Sequence, residues 1–111
     1  MAGEVTGEHA DERFTPAERE ILQLRLEEIK AHLVERTSPT PGQMRQITVT
    51  FNYVAEASDR LTKRDWKVAF LGAILPLLIG LAASKEVIHG TISLAAKYLL
   101  PLLGTLKLPV P

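Results

Sequence analysis

The chain contains no cysteine, so it can form neither a disulfide framework nor a thiolate metal site. Its three histidines, His9, His32 and His89, share no ligand spacing, and we therefore expect no metal site. The sequence also lacks a glycine-rich phosphate loop, a G-x-S-x-G elbow and an HExxH motif. Aromatic residues make up only 5%, without the basic clusters of a nucleic-acid binder. We therefore expect no catalytic residues, no cofactor and no nucleic-acid partner, and the protein is predicted not to be an enzyme.

Charge of either sign is missing from one long segment. In "WKVAFLGAILPLLIGLAASK", residues 66–85, the run from Val68 to Ala83 carries no charge. Residues 1–66 hold twelve acidic and nine basic residues, whereas residues 67–111 hold one acidic and four basic residues. The overall neutrality of the chain therefore conceals a polar, acidic half and an apolar, weakly basic half.

The polar half predicts a tail followed by two helices. Residues 1–14 are acidic and aperiodic, so we expect a disordered tail without a signal peptide. Two capping boxes follow, in residues 15–18 (TPAE) and 40–43 (TPGQ), with proline at the first helical position in each. Residues 15–65 are therefore predicted to form an amphipathic helical pair.

Apolar residues recur at helical spacing in both predicted helices. We interpret them as a face for oligomerisation or for a protein partner: Leu22, Leu26, Ile29, Leu33, Ile47, Phe51 and Val54. The stretch "ITVTF", residues 47–51, also alternates like a strand, but a single strand would have no partner in this chain. Thr62 and Asp65 offer a third helix start, although the second helix continuing through this point is an alternative.

The apolar half, residues 66–111, predicts a helical hairpin. Its two apolar segments, the uncharged run from Val68 to Ala83 and residues 87–106, are separated by "SKE", residues 84–86. The uncharged run is about 24 Å long as a helix, and Trp66, Lys67 and Lys85 suit the membrane interface at its ends. We therefore predict an all-α protein with a cytoplasmic amphipathic helical hairpin and a transmembrane hairpin. A soluble bundle with an unusually apolar core, an in-plane interfacial arrangement and a re-entrant hairpin are the alternatives.

Two sets of residues within the hairpin are candidate functional positions. The first is a small-residue seam for helix packing, formed by Ala69, Gly72, Ala73, Pro76 and Gly80. The second is Ser93, Lys97 and Tyr98, because a lysine in an apolar stretch faces a lumen, a partner or the headgroups. Lys97 thus indicates either a pore lining or a membrane interface.

The order of these parts suggests function through architecture. An amphipathic helical pair, the linker "RLTKRDW" and an apolar hairpin resemble the layout of small bacterial membrane proteins, some of them effectors. The basic residues before the hairpin predict a cytoplasmic N-terminal half, and two crossings of the inner membrane would return the C-terminus to the same side. We therefore hypothesise a homo-oligomer that perturbs or permeabilises the bilayer like a pore. The alternative is a membrane-anchored adaptor for a cytoplasmic protein partner.

Overall fold

The protein folds into four α-helices joined by short loops. The computed structural model describes residues 12–103, and helices are the only regular elements in that range. The helices are α1 (Pro16–Thr37), α2 (Pro41–Ala57), α3 (Lys63–Gly80) and α4 (Lys85–Leu103). The all-α prediction and the order of two helical hairpins are therefore confirmed.

The first two helices begin at the predicted capping boxes. The Thr15 hydroxyl accepts from the Glu18 amide at 3.1 Å, and the Glu18 carboxylate accepts from the Thr15 amide at 2.9 Å. Thr40 and Gln43 repeat this exchange at 3.2 and 3.0 Å. Each box satisfies amide groups that a helix start leaves without intrahelical partners. These local signals fix where α1 and α2 start.

The two ambiguities of the sequence are both resolved. "ITVTF" is helical, with Ile47 and Phe51 buried and Val49 66% exposed, as a helical period requires. The helix α2 ends at Ala57, and α3 is a separate helix because the Thr62 hydroxyl accepts from the Asp65 amide at 3.1 Å. The alternative of one continuous helix is therefore wrong.

The four helices pack in a ring in which each contacts the helices before and after it. The α1 helix packs most closely on α4 and α2 on α3, whereas α3 and α4 have the fewest contacts of the four neighbouring pairs. The α1 and α4 helices run antiparallel, since Arg25 lies 4.6 Å from the ring centre of Tyr98 while His32 lies beside Gly90. This is the arrangement of an antiparallel four-helix bundle.

The core lies along the bundle axis and draws on every helix. Its buried residues are Leu22, Leu26, Ile29 and Leu33 of α1, Ile47, Phe51, Val54 and Ala57 of α2, Trp66, Phe70, Ile74, Leu77 and Leu78 of α3, and Ala95, Leu99, Leu102 and Leu103 of α4. Pro76 and Pro101 do not break their helices, because α3 and α4 continue through them.

The structure also bears on the predicted transmembrane hairpin and on the predicted disordered tail. Within residues 12–103, no helix is both long enough and apolar enough to cross a membrane, so the transmembrane part of the predicted hairpin is unsupported. Most of the predicted tail, residues 1–11, lies outside the described residues, as do residues 104–111 at the end of the predicted hairpin. Glu12, Arg13 and Phe14, also assigned to the tail, instead contact the bundle.

Candidate functional site

The outward side of α3 carries large apolar side chains that the bundle does not cover. We call this surface the outer face of α3, and it comprises Val68, Leu71, Leu75 and Ile79, together with Gly72, Pro76 and Gly80 between them. The exposed fractions are 66% for Val68, 37% for Leu71, 43% for Leu75 and 74% for Ile79. From Val68 to Ile79 the helix is uncharged and about 16 Å long. This surface is the most unusual feature of the molecule.

The outer face exists because α3 is apolar on all sides. Its inward side, centred on Phe70, Ile74 and Leu77, is buried in the core. A surface helix of a four-helix bundle normally has polar residues opposite its buried stripe. In α3 the opposite positions are Val68, Ile79 and their neighbours, so folding buries only one of two apolar sides.

A small apolar groove adjoins the outer face between α3 and α4. Its volume is about 190 Å³, and its lining includes Phe70 and Leu71 of α3 with Ala96, Leu99 and Leu100 of α4. Leu100 is itself 43% exposed, which extends the apolar surface from α3 onto α4. The groove lies between the two neighbouring helices that pack least closely on each other.

A second, wider groove lies between the start of α2 and the end of α3. It has a volume of about 950 Å³. Ala73, Pro76 and Gly80 line its α3 side, whereas Arg45 and Gln46 line its α2 side. This groove combines small side chains with a polar rim, in contrast to the apolar groove between α3 and α4.

Three residues of the predicted small-residue seam, Ala73, Pro76 and Gly80, lie together along the groove between α2 and α3. Gly72, Pro76 and Gly80 are exposed, and Ala69 and Ala73 are half-buried. A Cβ atom added at Gly72 or Gly80 would meet no atom within 4 Å. These two glycines therefore do not permit a close helix approach within the bundle, and their use in packing between chains stays a prediction.

The candidate lumen or interface residues lie on two sides of α4. Ser93 and Lys97 are exposed, whereas Tyr98 is half-buried under the guanidinium of Arg25. Lys97 therefore points away from the core and is accessible to solvent.

The predicted oligomer or partner face is used within the bundle. Its seven residues, Leu22, Leu26, Ile29, Leu33, Ile47, Phe51 and Val54, are at most 3% exposed. The apolar half of the same chain covers them, so a partner would reach this face only in an opened bundle. In the closed fold, α3 instead exposes four large apolar side chains on its outer face, Val68, Leu71, Leu75 and Ile79.

The start of α1 is joined to the start of α3 by a cluster of polar and aromatic residues, which we call the junction. Its members are Glu12, Phe14, Glu18, Lys63, Trp66 and Phe70. Trp66 is fully buried, its indole N–H donates to the Val54 carbonyl at 2.7 Å, and its ring lies between Phe14 and Phe70. The Phe14 ring meets Trp66 edge-on at 5.6 Å, and Phe70 stacks on it at 5.2 Å. This cluster anchors α3 to α2 and to the segment before α1.

Lys63 is the charged member of the junction. It is only 3% exposed, and its Nζ lies 3.0 Å from Glu18 Oε2 and 3.7 Å from Glu12 Oε2. The Lys63 amide donates to the Glu12 carbonyl at 2.7 Å. This hydrogen bond holds the segment before α1 against the start of α3. A buried ammonium requires such partners, because desolvation of an unpaired charge is costly.

The sequence analysis missed this junction, although one signal was present. Phe14 directly precedes the capping residue Thr15, and an apolar residue at that position often packs against the first turns of the helix that follows. Lys63 gave no such signal, because a lysine at a helix start is usually exposed. Its burial depends on the position of Glu18 in α1, 45 residues earlier.

The junction changes the protonation of Glu18. Partial burial raises the pKa of this carboxyl, but hydrogen bonds from Thr15 and the nearby Lys63 ammonium lower it more. The net result is a pKa below the ordinary value of 4.5. The folded state therefore favours the carboxylate, and this stabilisation is present above pH 4.5 and is lost as the pH falls through the lowered pKa.

We expect Glu18→Gln to lower the free energy of unfolding by about 1 to 2 kcal/mol at neutral pH, because it weakens the hydrogen bonds of Thr15 and Lys63. The difference from the wild type should shrink as the pH falls below 4.5. Urea unfolding from pH 7 to pH 3 measures this difference. Glu20→Gln, at an exposed position of the same helix, is the control and should change little at any pH. A constant Glu18→Gln effect across this range would contradict the pKa argument.

Within residues 12–103, no group of three or more histidine, aspartate or glutamate side chains is arranged to hold a metal ion. Compared with protein-family models, curated protein sequences and solved structures, the chain shows no significant match.

Proposed function

We propose that this protein is a non-enzymatic, membrane-active helical bundle. Its outer face of α3 contacts the bilayer interface, and self-assembly there perturbs or permeabilises the membrane. The observation that carries the proposal is the uncharged apolar surface from Val68 to Ile79, which the fold leaves uncovered. Large apolar patches rimmed by polar residues are typical of protein or membrane contact sites. Location at the cytoplasmic side of an inner membrane is part of this proposal.

The backbone of α3 favours an interfacial depth for the first contact with the bilayer. Pro76 has no amide hydrogen, so it cannot donate the helical bond that the Gly72 carbonyl would otherwise accept. Both residues are exposed on the outer face. In the hydrocarbon core an unpaired carbonyl costs several kcal/mol, whereas headgroups and water at the interface supply donors.

The hairpin of α3 and α4 is the part of the bundle best suited to enter the membrane more deeply. These neighbouring helices have the fewest mutual contacts, and an apolar groove of about 190 Å³ lies between them. Deeper entry would exchange the core contacts of Phe70 and Ile74 for contacts with lipid. The inserted hairpin predicted from the sequence is thus the second step of the proposal, after interfacial binding.

The test is a charge substitution on the outer face. We expect Val68→Asp combined with Ile79→Asp to abolish flotation with lipid vesicles and release of a trapped dye, because two carboxylates would have to leave water. Both side chains are mostly exposed, so the bundle should remain folded. Circular dichroism and thermal unfolding check this.

A matched control is available on the other helices. Leu24 is 67% exposed on α1 and Val49 is 66% exposed on α2. Leu24→Asp combined with Val49→Asp adds the same charge at similar exposure and should leave vesicle binding unchanged. If the wild-type protein neither floats with vesicles nor releases dye, or if both double variants behave alike, the proposal is wrong.

A second candidate function is an adaptor, which the groove between α2 and α3 favours. Its small α3 residues leave room for a helix, and Arg45 at its rim would pair with an acidic residue of that helix. We would expect a peptide helix with an acidic edge to bind wild type and to lose affinity for Ala73→Leu. Membrane binding would then not require the outer face of α3.

A further inference from the structure

The charges of the bundle are divided unequally between its two hairpins. The α3 and α4 helices carry five cationic and two anionic residues, whereas α1 and α2 carry five cationic and six anionic residues. The hairpin that bears the outer face is therefore the cationic side of the molecule. The buried Lys63 is engaged by Glu12 and Glu18, which leaves four cations for the surface.

Three of these cations lie near one end of the outer face. Arg64 is exposed one helical turn before Val68, and Lys67 lines the apolar groove with Leu71 and Leu100. Lys97 is exposed on α4, one turn before Leu100. Since α3 and α4 form an antiparallel hairpin, the start of α3 lies beside the end of α4.

These cations are not committed to partners in the fold. Among residues 12–103, the ion pairs involve none of the three cations Arg64, Lys67 and Lys97. One acidic residue, Asp65, is exposed beside Arg64, and Glu86 follows Lys85 at the opposite end of the hairpin. The end of the outer face marked by Arg64, Lys67 and Lys97 therefore keeps a net positive charge.

We propose that the outer face of α3 docks on anionic lipid headgroups, with Arg64, Lys67 and Lys97 as the residues that bind them. This inference rests on the proposed function and names its partner. An apolar helix face flanked by cations is the pattern of interfacial helices, which bind through buried apolar area together with attraction to anionic lipids. The long side chains of the two lysines reach headgroups while their stems contact the apolar surface.

A second copy of the chain fits this surface less well. The outer face comprises seven residues, whereas each partner in a standard interface contributes about 20 to 30 residues and about 800 Å². Two copies meeting through this end would also bring like charges together. A bilayer imposes neither limit, since its apolar area is continuous and its headgroups supply the opposite charge.

The experiment compares vesicles of phosphatidylcholine alone with vesicles containing about one quarter phosphatidylglycerol, because each basic residue near an anionic surface strengthens binding about fivefold. We expect the wild-type chain to bind the anionic vesicles at least about tenfold more strongly at low salt, and added salt to reduce this preference. The triple variant Arg64→Gln, Lys67→Gln and Lys97→Gln should lose the preference.

The control variant removes the same charge from the other hairpin. Lys30→Gln, Arg36→Gln and Arg45→Gln should keep the preference for phosphatidylglycerol, because these residues lie on α1 and α2. Equal binding of the wild type to both vesicles, without salt dependence, would overturn this inference and leave the proposed function intact. No binding to either vesicle would overturn both. A dimer in solution that Ile79→Asp dissociates, without vesicle binding, would assign the face to a second copy and overturn both as well.

Discussion

Replacement of Trp66 by alanine is expected to lower the free energy of unfolding by about 4 kcal/mol, the typical cost of deleting a buried large aromatic side chain. Trp66 is fully buried and contacts Phe14, Phe70 and the Val54 carbonyl, so the deletion leaves a cavity where three parts of the chain meet. Domains of this size are stable by about 5 to 15 kcal/mol, so the variant should lose much of its stability. Urea unfolding followed by circular dichroism measures the loss.

Two further substitutions separate the contributions to this loss. Trp66→Phe keeps an aromatic ring but leaves the Val54 carbonyl without the indole donor. It should lower the free energy of unfolding by about 1 to 2 kcal/mol more than a core substitution that leaves no carbonyl unpaired. Tyr53→Ala removes an aromatic ring that is 47% exposed and should cost much less than Trp66→Ala. A loss for Trp66→Ala no larger than that for Tyr53→Ala would contradict the described packing of α3.

The second large effect is expected at Lys63. Lys63→Glu should lower the free energy of unfolding by about 3 to 5 kcal/mol, because it places a buried carboxylate beside Glu12 and Glu18. Lys63→Met fills a similar volume without charge and should cost about 1 to 2 kcal/mol. The smaller loss follows because Glu12 and Glu18 retain access to water, with side chains 43% and 29% exposed.

The comparison between the two Lys63 variants is the decisive observation. The same unfolding measurements should place Lys63→Glu well below Lys63→Met at neutral pH. Lowering the pH should narrow this gap, because protonation of the clustered carboxylates relieves their repulsion. Arg64→Glu, at the exposed neighbouring position, should change stability little. Equal losses for Lys63→Glu and Lys63→Met would show that the ammonium is not held between the two carboxylates.

The helices were largely predictable because their signals are local. The boxes at Thr15 and Thr40 specify amide partners within three residues, and the prolines after them fix the first helical position. The apolar periodicity of α1 and α2 correctly marked the side of each helix that the bundle buries. The end of α2 was less predictable, because Leu61 continues the apolar periodicity in the loop after the helix.

The tertiary arrangement was not predictable in the same way. The sequence shows that α3 is apolar on all sides, but not which of these sides the bundle covers. The apolar stripes of α1 and α2 cover the side with Phe70 and Ile74, and they leave Val68 and Ile79 exposed. The sequence also did not show that these stripes would cover one side of the apolar half, as they do in the structure.

The candidate site was predictable only in part. The sequence identified the uncharged run and singled out Lys97 as a candidate for the membrane interface. It did not distinguish Val68 and Ile79 from the buried residues around them, because exposure depends on contacts between distant parts of the chain. The junction at Lys63 was missed for the same reason, since its carboxylates come from other segments.

The most direct test of the account places an environment-sensitive fluorophore on single cysteines, which the absence of native cysteine makes straightforward. Ile79→Cys reports on the outer face of α3, and Leu24→Cys reports on α1 at a similar exposure, 67% against 74%. The account predicts that anionic vesicles shift the emission to the blue at position 79, with quenching by lipid-attached nitroxides, and leave position 24 unchanged. No change at position 79, or equal changes at both positions, would contradict membrane contact through α3.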